Sequence, residues 1–191
     1  MTKTMPNVYD FDNTIARFDS GSAFVLFCLR RHPGLLRFLP RAVAQLVRFA
    51  GKRHKGPAKG EFYRFLRALP DWREEVRLFW QAKAGPMLQP WYLAQLRPDD
   101  IIISCSPDFL LRPLCDQLGV RLIATRVDTG TGRLEGFSCY GGEKVRRLRE
   151  AFGAIEIREF YSDSLSDAPL AALARRAFLV RGDERATWPE G

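Results

Sequence analysis

Five short apolar runs constrain the fold of this chain more than any other feature of its sequence. Each is rich in Ile, Val, Leu or aromatic residues and stops at polar residues, which is typical of strands buried on both faces of a sheet. The predicted strands are residues 7–11, 100–105, 121–125, 157–161 and 177–180. Apolar residues at helical spacing lie between them and predict helices at residues 109–118, 144–152 and 168–175.

Strands that alternate with helices predict an α/β fold built on a doubly wound, parallel, Rossmann-like sheet. In such a sheet the functional site lies in the crevice beyond the carboxyl ends of the strands. Asp10, Ser104 and Asp163 each lie at the end of a predicted strand. We therefore expect these three residues to meet at one edge of the sheet.

Residues 18–88 do not alternate in this way and are predicted to be wholly helical, with Pro and Gly breaks. The sequence thus predicts a core domain of residues 1–17 and 89–191 and an inserted helical cap of residues 18–88. A run of Thr and Gly at residues 129–132 predicts a turn between two short antiparallel strands within residues 125–140.

Composition is ordinary for a soluble globular protein, with 46% hydrophobic and 27% charged residues. The four cysteines form no C-x-x-C pair and there are only two histidines, so no zinc-site spacing is present. No apolar stretch of signal-peptide length occurs near residue 1, and we expect a cytoplasmic protein with reduced thiols.

The net charge of +8 is concentrated in one region, because residues 20–60 contain no Asp or Glu and nine Lys or Arg. Apolar residues are interleaved with these cations, but no uncharged run reaches the length of about 20 residues that a bilayer requires. Residues 30–59 are therefore predicted to contact an anionic membrane surface peripherally, and no specific nucleic acid is expected. The same pattern also suits a solvated helix face, and the sequence leaves both interpretations open.

Asp10 and Asp12 follow the first predicted strand and would share one face of an extended chain. Two carboxylates so close repel each other unless a cation lies between them or one takes a proton. A second acidic pair, Asp163 and Asp167, follows the fourth predicted strand. Oxygen ligands of this kind suit Mg²⁺.

Two further segments could serve an anionic substrate. Ser104 and Cys105 lie where a strand leads into a helix, so a hydroxyl and backbone N–H groups can hold a phosphoryl oxygen there. Ser106 could hold the phosphoryl group instead of Ser104, or it could cap the helix. A Gly-Gly-Glu turn presents the ammonium group of Lys144 at the start of another helix.

The ordered segments DFDNT, SCSP, GGEK and DSLSD resemble the four signature motifs of the haloacid dehalogenase superfamily. The helical insertion between the first two motifs resembles the C1-type cap of phosphoserine phosphatase and its relatives, the subfamily IB. Parts of the chain, among them YSDSLSDAPL, are also similar to phosphatidylglycerophosphate phosphatases of that subfamily.

The resemblance implies a Mg²⁺-dependent phosphomonoesterase that forms an aspartyl-phosphate intermediate. In it Asp10 would be the nucleophile, Asp12 the general acid and base, and Lys144 the group that neutralises charge. Phosphoryl oxygens would be held by Thr14, Ser104 and Cys105. The metal would be held by Asp10, Asp12 through its backbone carbonyl, Asp163 and Asp167, of which Asp167 could instead be a helix cap.

The substrate is less constrained by the sequence. The resemblance places Asp19 where phosphoserine phosphatases bind the substrate's ammonium group, and Arg64 could line the inner surface of the cap. A small or a lipid phosphate monoester is expected. Two other functions stay open: a catalytically idle member whose basic cap binds membrane or nucleic acid, and a phosphotransferase that uses an acceptor other than water.

Overall fold

A computed structural model of the chain describes residues 5–38 and 63–189. The strands in these ranges are β1 (Val8–Tyr9), β2 (Ile101–Pro107), β3 (Arg121–Thr125), β4 (Val127–Asp128), β5 (Arg133–Leu134), β6 (Ile157–Ser162), β7 (Ala174–Arg181) and β8 (Glu184–Thr187). The α-helices are α1 (Ser20–Arg31), α2 (Trp72–Met87), α3 (Pro90–Gln95), α4 (Asp108–Leu118), α5 (Gly142–Phe152) and α6 (Ala168–Ala171). Three 3₁₀ helices span Pro33–Phe38, Tyr63–Ala68 and Leu165–Asp167.

Six of these strands form one sheet in the order β3-β2-β1-β6-β7-β8. The pairs β3/β2, β2/β1, β1/β6 and β6/β7 are parallel, and within the described part of this sheet only β8 runs antiparallel to its neighbour. Val8 of β1 pairs with Ile101 on one side and with Phe160 on the other, so β1 is central. The carboxyl ends of β2, β1 and β6 therefore lie side by side, and the predicted α/β fold is confirmed.

Two hydrophobic clusters cover the two faces of this sheet, because side chains alternate along each strand. Val8 and Ile101 belong to one cluster, whereas Tyr9 and Ile102 belong to the other. The larger cluster also contains Phe24 of α1 and Phe79 of α2. Helices from the predicted cap region thus pack into the same core as the sheet.

The described parts of residues 18–88 contain α-helices, 3₁₀ helices and no strand, with one isolated β-bridge from Leu88 to Ala16, while residues 39–62 lie outside the described ranges. The division into core and cap remains a prediction. The predicted hairpin is present as the antiparallel pair β4 and β5. No helix in the described ranges is both long enough and apolar enough to cross a bilayer.

The predicted helix at residues 168–175 is wrong in its second half. α6 ends at Ala171, and β7 begins at Ala174, which pairs with Ile157 of β6. An ion pair between Arg176 and Glu159 joins the same two strands. Sheet pairing has overridden the helical tendency of this Ala- and Arg-rich segment.

The sequence interpretation also missed β8. Arg181 pairs with Glu184 across a turn made by Gly182 and Asp183, and Gly182 has a φ of 60°. A two-residue Gly-Asp turn is a known hairpin signal, so the sequence did contain the information.

Candidate active site

The site is assembled at the carboxyl edge of the sheet, where β1 and β6 end. Asp10 follows β1, and its backbone N–H donates to the carbonyl of Tyr161 in β6 at 2.8 Å. Asp163 follows β6 directly. Because β1 and β6 are paired in parallel, acidic residues more than 150 positions apart in the chain become neighbours.

Lys144 of α5 connects the two acidic segments. Its Nζ lies 2.7 Å from Asp10 Oδ1 and 2.7 Å from Asp167 Oδ2, and the residue is only 2% exposed. Gly141, with a φ of 54°, precedes α5 and permits the sharp turn that aims the lysine inward. Burial alone would favour a neutral amine, but the carboxylates of Asp10 and Asp167 outweigh it and raise the pKa of Lys144.

Asp167 is buried and only half paired. Its Oδ2 accepts hydrogen bonds from Lys144 and, at 2.8 Å, from the hydroxyl of Ser162. Its Oδ1 is buried and has no hydrogen-bond partner among the described residues. Burial raises the pKa of Asp167, although Lys144 opposes this shift.

The Thr14 hydroxyl lies between the two strand-end carboxylates. Its Oγ1 is 3.4 Å from Asp10 Oδ2 and 3.5 Å from Asp163 Oδ1, and it accepts the backbone N–H of Asp163 at 3.0 Å. Burial, followed by the charge of Asp10, raises the pKa of Asp163 from 3.8 to about 6. This pair of carboxylates therefore presents a concentrated negative charge beside a buried hydroxyl.

Asp12 engages a different set of groups. Its Oδ1 accepts the backbone N–H of Ser20 at 2.7 Å, and its Oδ2 accepts the hydroxyl of Ser106. Ser20 Oγ in turn lies 3.2 Å from Ser106 Oγ. Burial and the charge of Asp19 raise the pKa of Asp12 from 3.8 to about 6, while the hydrogen bonds from Ser106 and Ser20 oppose the shift.

The two serines in the second half of β2, Ser104 and Ser106, differ in their surroundings. Ser104 Oγ accepts the backbone N–H of Ser106 at 3.0 Å, which leaves the hydroxyl proton of Ser104 available to another acceptor. The hydroxyl of Ser106 is already committed to Asp12. Of the two serines, Ser104 therefore fits the phosphate-holding role better.

Cys105 lies between these two serines. Its Sγ lies 3.0 Å from Ser138 Oγ, and the backbone carbonyl of Cys105 accepts the hydroxyl of Thr125 at 2.7 Å.

The two substrate residues predicted from the cap region lie on its surface. Asp19 is exposed and caps α1 by accepting the backbone N–H of Ser22 at 2.6 Å, which accounts for it without a substrate. Arg64 is exposed as well. Tyr63 beside it is buried, and burial together with the charges of Asp19 and Asp12 raises its pKa. The roles of Asp19 and Arg64 in substrate binding stay predictions.

The side chains of the four predicted metal ligands do not all point to one place. Within residues 5–38 and 63–189, no three Asp, Glu, His or Cys side chains are placed to hold a metal ion by themselves. The side chain of Asp12 is engaged by Ser20 and Ser106, so Asp12 could contribute only its backbone carbonyl. Asp10 and Asp163 remain as a carboxylate pair.

Sequence reasoning found most of the polar groups in this site but missed Ser20 and Ser162. Ser20 contributes a backbone N–H and Ser162 a strand-end hydroxyl. Nothing in the local sequence distinguishes them from other serines, since their partners are set by the way α1 and β6 pack. The local sequence likewise did not reveal that the Ser106 hydroxyl binds Asp12.

This arrangement defines a Rossmann-type α/β protein with an acidic site at the carboxyl edge of its sheet, completed by a buried lysine. The chain belongs to the haloacid dehalogenase-like hydrolase family, whose model matches residues 8–172.

Known proteins resemble this chain over most of its length. Protein CicA of Caulobacter vibrioides is 32% identical, with 87% of this chain and 81% of CicA covered. A Bordetella pertussis protein of unknown function has a similar structure, with a TM-score of 0.77, 23% identity and coverage of 92% of this chain and 89% of that one. A phosphoserine phosphatase carrying an analogue of its phospho-aspartyl intermediate has a TM-score of 0.56 and 18% identity, with coverage of 92% and 86%.

Proposed function

We propose that this protein is a Mg²⁺-dependent phosphomonoesterase in which the carboxylate of Asp10 attacks phosphorus. The observation that carries the proposal is the position of Asp10: it directly follows the central strand, and its Oδ1 lies 2.7 Å from the buried ammonium group of Lys144. Thr14 and Ser104 supply hydroxyl groups near the same strand ends. Membership of a hydrolase family and the fold shared with phosphoserine phosphatase support it.

The reaction proceeds in two half-reactions with this set of residues. First, an oxygen of Asp10 forms a bond to phosphorus, the bond from phosphorus to the leaving oxygen breaks, and that oxygen takes a proton from Asp12. Then water attacks phosphorus, the bond to Asp10 breaks, and Asp12 recovers its proton from the water. Lys144 neutralises charge on Asp10 and on the transferring group in both half-reactions.

The residues fit a hard divalent cation. Asp10 and Asp163 both approach Thr14 Oγ1 and carry like charges, and Asp167 Oδ1 is buried with no partner in the part of the chain that the structure describes. Carboxylate and carbonyl oxygens are the ligands that Mg²⁺ prefers. Asp10, Asp163 and the backbone carbonyl of Asp12 would hold it, and Asp167 would be a further ligand or would lie directly behind these ligands. When bound, Mg²⁺ supplies positive charge that stabilises the transferring phosphoryl group.

Asp10→Asn tests the nucleophile. It keeps the shape of the side chain but removes the carboxylate, so hydrolysis of p-nitrophenyl phosphate with Mg²⁺ should fall by about 10³-fold or more. Release of p-nitrophenol, followed by absorbance, measures the loss. EDTA treatment of the parent protein should abolish turnover, and added Mg²⁺ should restore it.

The matched control is Asp183→Asn, the same chemical change in an exposed turn, which should leave turnover unaltered. Turnover that persists in Asp10→Asn would overturn the proposal, and a parent protein with no turnover would favour the catalytically idle alternative. Product analysis with added alcohols separates hydrolysis from phosphotransfer, because a phosphotransferase would form new phosphate esters.

The substrate we propose is a small or lipid phosphate monoester, with phosphatidylglycerophosphate as the lipid that the sequence resemblance suggests. The described surface favours contact with an anionic membrane. Leu26 of α1 and Leu36 of the following 3₁₀ helix are about half exposed, and Arg30 and Arg37 are exposed near them in the sequence. Residues 39–59 of the predicted contact region lie outside the described ranges.

A sedimentation assay tests the membrane contact. The protein should pellet with anionic phospholipid vesicles at low salt and remain in the supernatant with neutral vesicles. Replacing Arg30 and Arg37 together by Gln should weaken binding about tenfold or more, since each basic residue near an anionic surface contributes about 1 kcal/mol. Lack of pelleting with anionic vesicles would exclude the contact while leaving the phosphatase proposal intact.

A further inference from the structure

Asp12 is held by two donors that come from different parts of the fold. The backbone N–H of Ser20 is the first of α1, and it donates to Oδ1 at 2.7 Å. The hydroxyl of Ser106 lies at the end of β2 and donates to Oδ2. Both carboxylate oxygens of Asp12 are therefore restrained.

A third group supports the second hydrogen bond. Ser20 Oγ donates to Ser106 Oγ at 3.2 Å, which fills one acceptor position of Ser106 and leaves its proton for Asp12. Ser20 and Ser106 are both buried, at 0% and 5% exposure. Solvent thus has little access to replace either hydrogen bond.

This arrangement limits where a proton on Asp12 can lie. A carboxyl group has about four acceptor sites, and the N–H of Ser20 and the hydroxyl of Ser106 occupy one on each oxygen. A proton that is passed to a leaving group must use one of the remaining sites. With both oxygens restrained, the carboxyl plane cannot rotate away, so those sites keep a constant direction.

We propose that Ser106 is a positioning residue that, together with Ser20, orients Asp12 for proton transfer to the leaving oxygen. This inference rests on the proposed phosphatase activity. It adds that the contribution of Ser106 to the rate depends on how much the leaving group needs a proton. Removing the Ser106 hydroxyl leaves the nucleophile Asp10 and its partner Lys144 in place. The defect should therefore be selective.

Two aryl phosphates of similar shape provide the probe. p-Nitrophenolate is a stable anion that departs without a proton, whereas phenol, with a pKa of about 10 like that of tyrosine, departs much better when it is protonated. The measured quantity is kcat/KM, which covers only the steps up to departure of the leaving group. The later use of Asp12 to activate water does not enter it.

In Ser106→Ala, kcat/KM for phenyl phosphate should fall about 10- to 100-fold, while kcat/KM for p-nitrophenyl phosphate should fall less than about threefold. Asp12→Asn should show the same selectivity with a larger loss. Combining Ser106→Ala with Asp12→Asn should add no further loss on phenyl phosphate, because Ser106 acts through Asp12. Ser106→Thr, which restores a hydroxyl, should recover the phenyl phosphate activity.

Ser138→Ala is the control variant, since it removes a nearby hydroxyl that contacts Cys105 and Thr125. Any loss it causes should be equal for the two substrates. Equal losses on both substrates in Ser106→Ala, or a further loss when it is added to Asp12→Asn, would overturn the positioning role. Absence of Asp10-dependent turnover in the parent would instead defeat the phosphatase proposal itself.

Discussion

At the scale of single residues, the site depends on charges that burial makes expensive. Lys144 is nearly inaccessible to solvent, and it is stable as a cation only because Asp10 and Asp167 each approach it at 2.7 Å. Asp163 lies close to Asp10 and has no such direct partner in the described structure. The site therefore has an excess of negative charge, which is the condition under which a divalent cation binds well.

Asp100 is a second buried acid, located at the other end of β2 and away from the site. It is inaccessible to solvent, Oδ2 accepts the backbone N–H of Arg97 at 2.9 Å, and Oδ1 has no partner in the described ranges. Burial raises its pKa from 3.8 to about 6. The folded protein therefore binds this proton more tightly than the unfolded chain does, and stability falls as pH rises from about 4 to about 6.

Asp100→Asn removes the buried charge and can keep the hydrogen bond from Arg97. At pH 8 it should raise the free energy of unfolding by about 1–3 kcal/mol, and at pH 5 the gain should be smaller. Thermal unfolding followed by circular dichroism at the two pH values measures it. Asp116→Asn, in which the acid is exposed, should show little change at either pH. A gain of the same size at both would contradict the interpretation.

Residues named from sequence were those whose chemistry is unusual in its position. Asp10, Thr14, Lys144, Asp163 and Asp167 lie in short polar segments at strand ends or helix starts, and the structure brings them together. Ser20 and Ser162 act through ordinary donors, which any serine can offer. Their roles depend on packing across the molecule, so no local pattern could have revealed them.

At the scale of the element, the hairpin of β4 and β5 touches the 3₁₀ helix that begins at Tyr63. Gly132 has a φ of 72°, and a Cβ atom at this position would lie 2.4 Å from the backbone nitrogen of Arg64. Only a residue without a side chain allows so close an approach. The contact joins a loop of the predicted core to the 3₁₀ helix at which the described part of the predicted cap resumes.

Gly132→Ala should destabilise the protein by forcing these two backbones apart. Gly136→Ala is a matched control, because Gly136 has a φ of 81° but no atom of residues 5–38 or 63–189 lies within 4 Å of the added Cβ. Both variants carry the cost of a left-handed alanine, about 1 kcal/mol, and Gly132→Ala should cost about 1–3 kcal/mol more. Urea unfolding measures the difference. Equal losses of stability in the two variants would contradict this prediction, because they would show that the hairpin moves away from the 3₁₀ helix at no cost in free energy.

Elements were predicted well where apolar periodicity was strong and poorly where pairing partners decided the outcome. The isoleucine run of β2 is buried on both faces, and its strand was correctly located. Residues 174–176 have a helical composition, yet they form a strand because β6 offers an unpaired edge and Glu159 offers a charge. Such interactions between distant residues cannot be seen in a short stretch of sequence.

At the scale of the whole molecule, the order of strands in the sheet explains why the polar residues of the site lie together at one edge. The central position of β1 follows from its register with β2 and β6, and it places Asp10 between the other two strand ends. The α/β class could be predicted from alternation alone. The shared core of Phe11, Phe24 and Phe79 could not, since it depends on how α1 and α2 return over the sheet.

Helix α1 begins at the backbone N–H that holds Asp12 and runs for 12 residues to Arg31. At a rise of 1.5 Å per residue it is a stiff rod about 18 Å long, with its first residue anchored on the acid and its far end among surface arginines. Because the helix is stiff, a tilt that displaces its far end also displaces the backbone N–H at its start, by a smaller distance. The residues at the far end of α1 are thus linked through one rigid element to the carboxylate of Asp12, the proton donor proposed above.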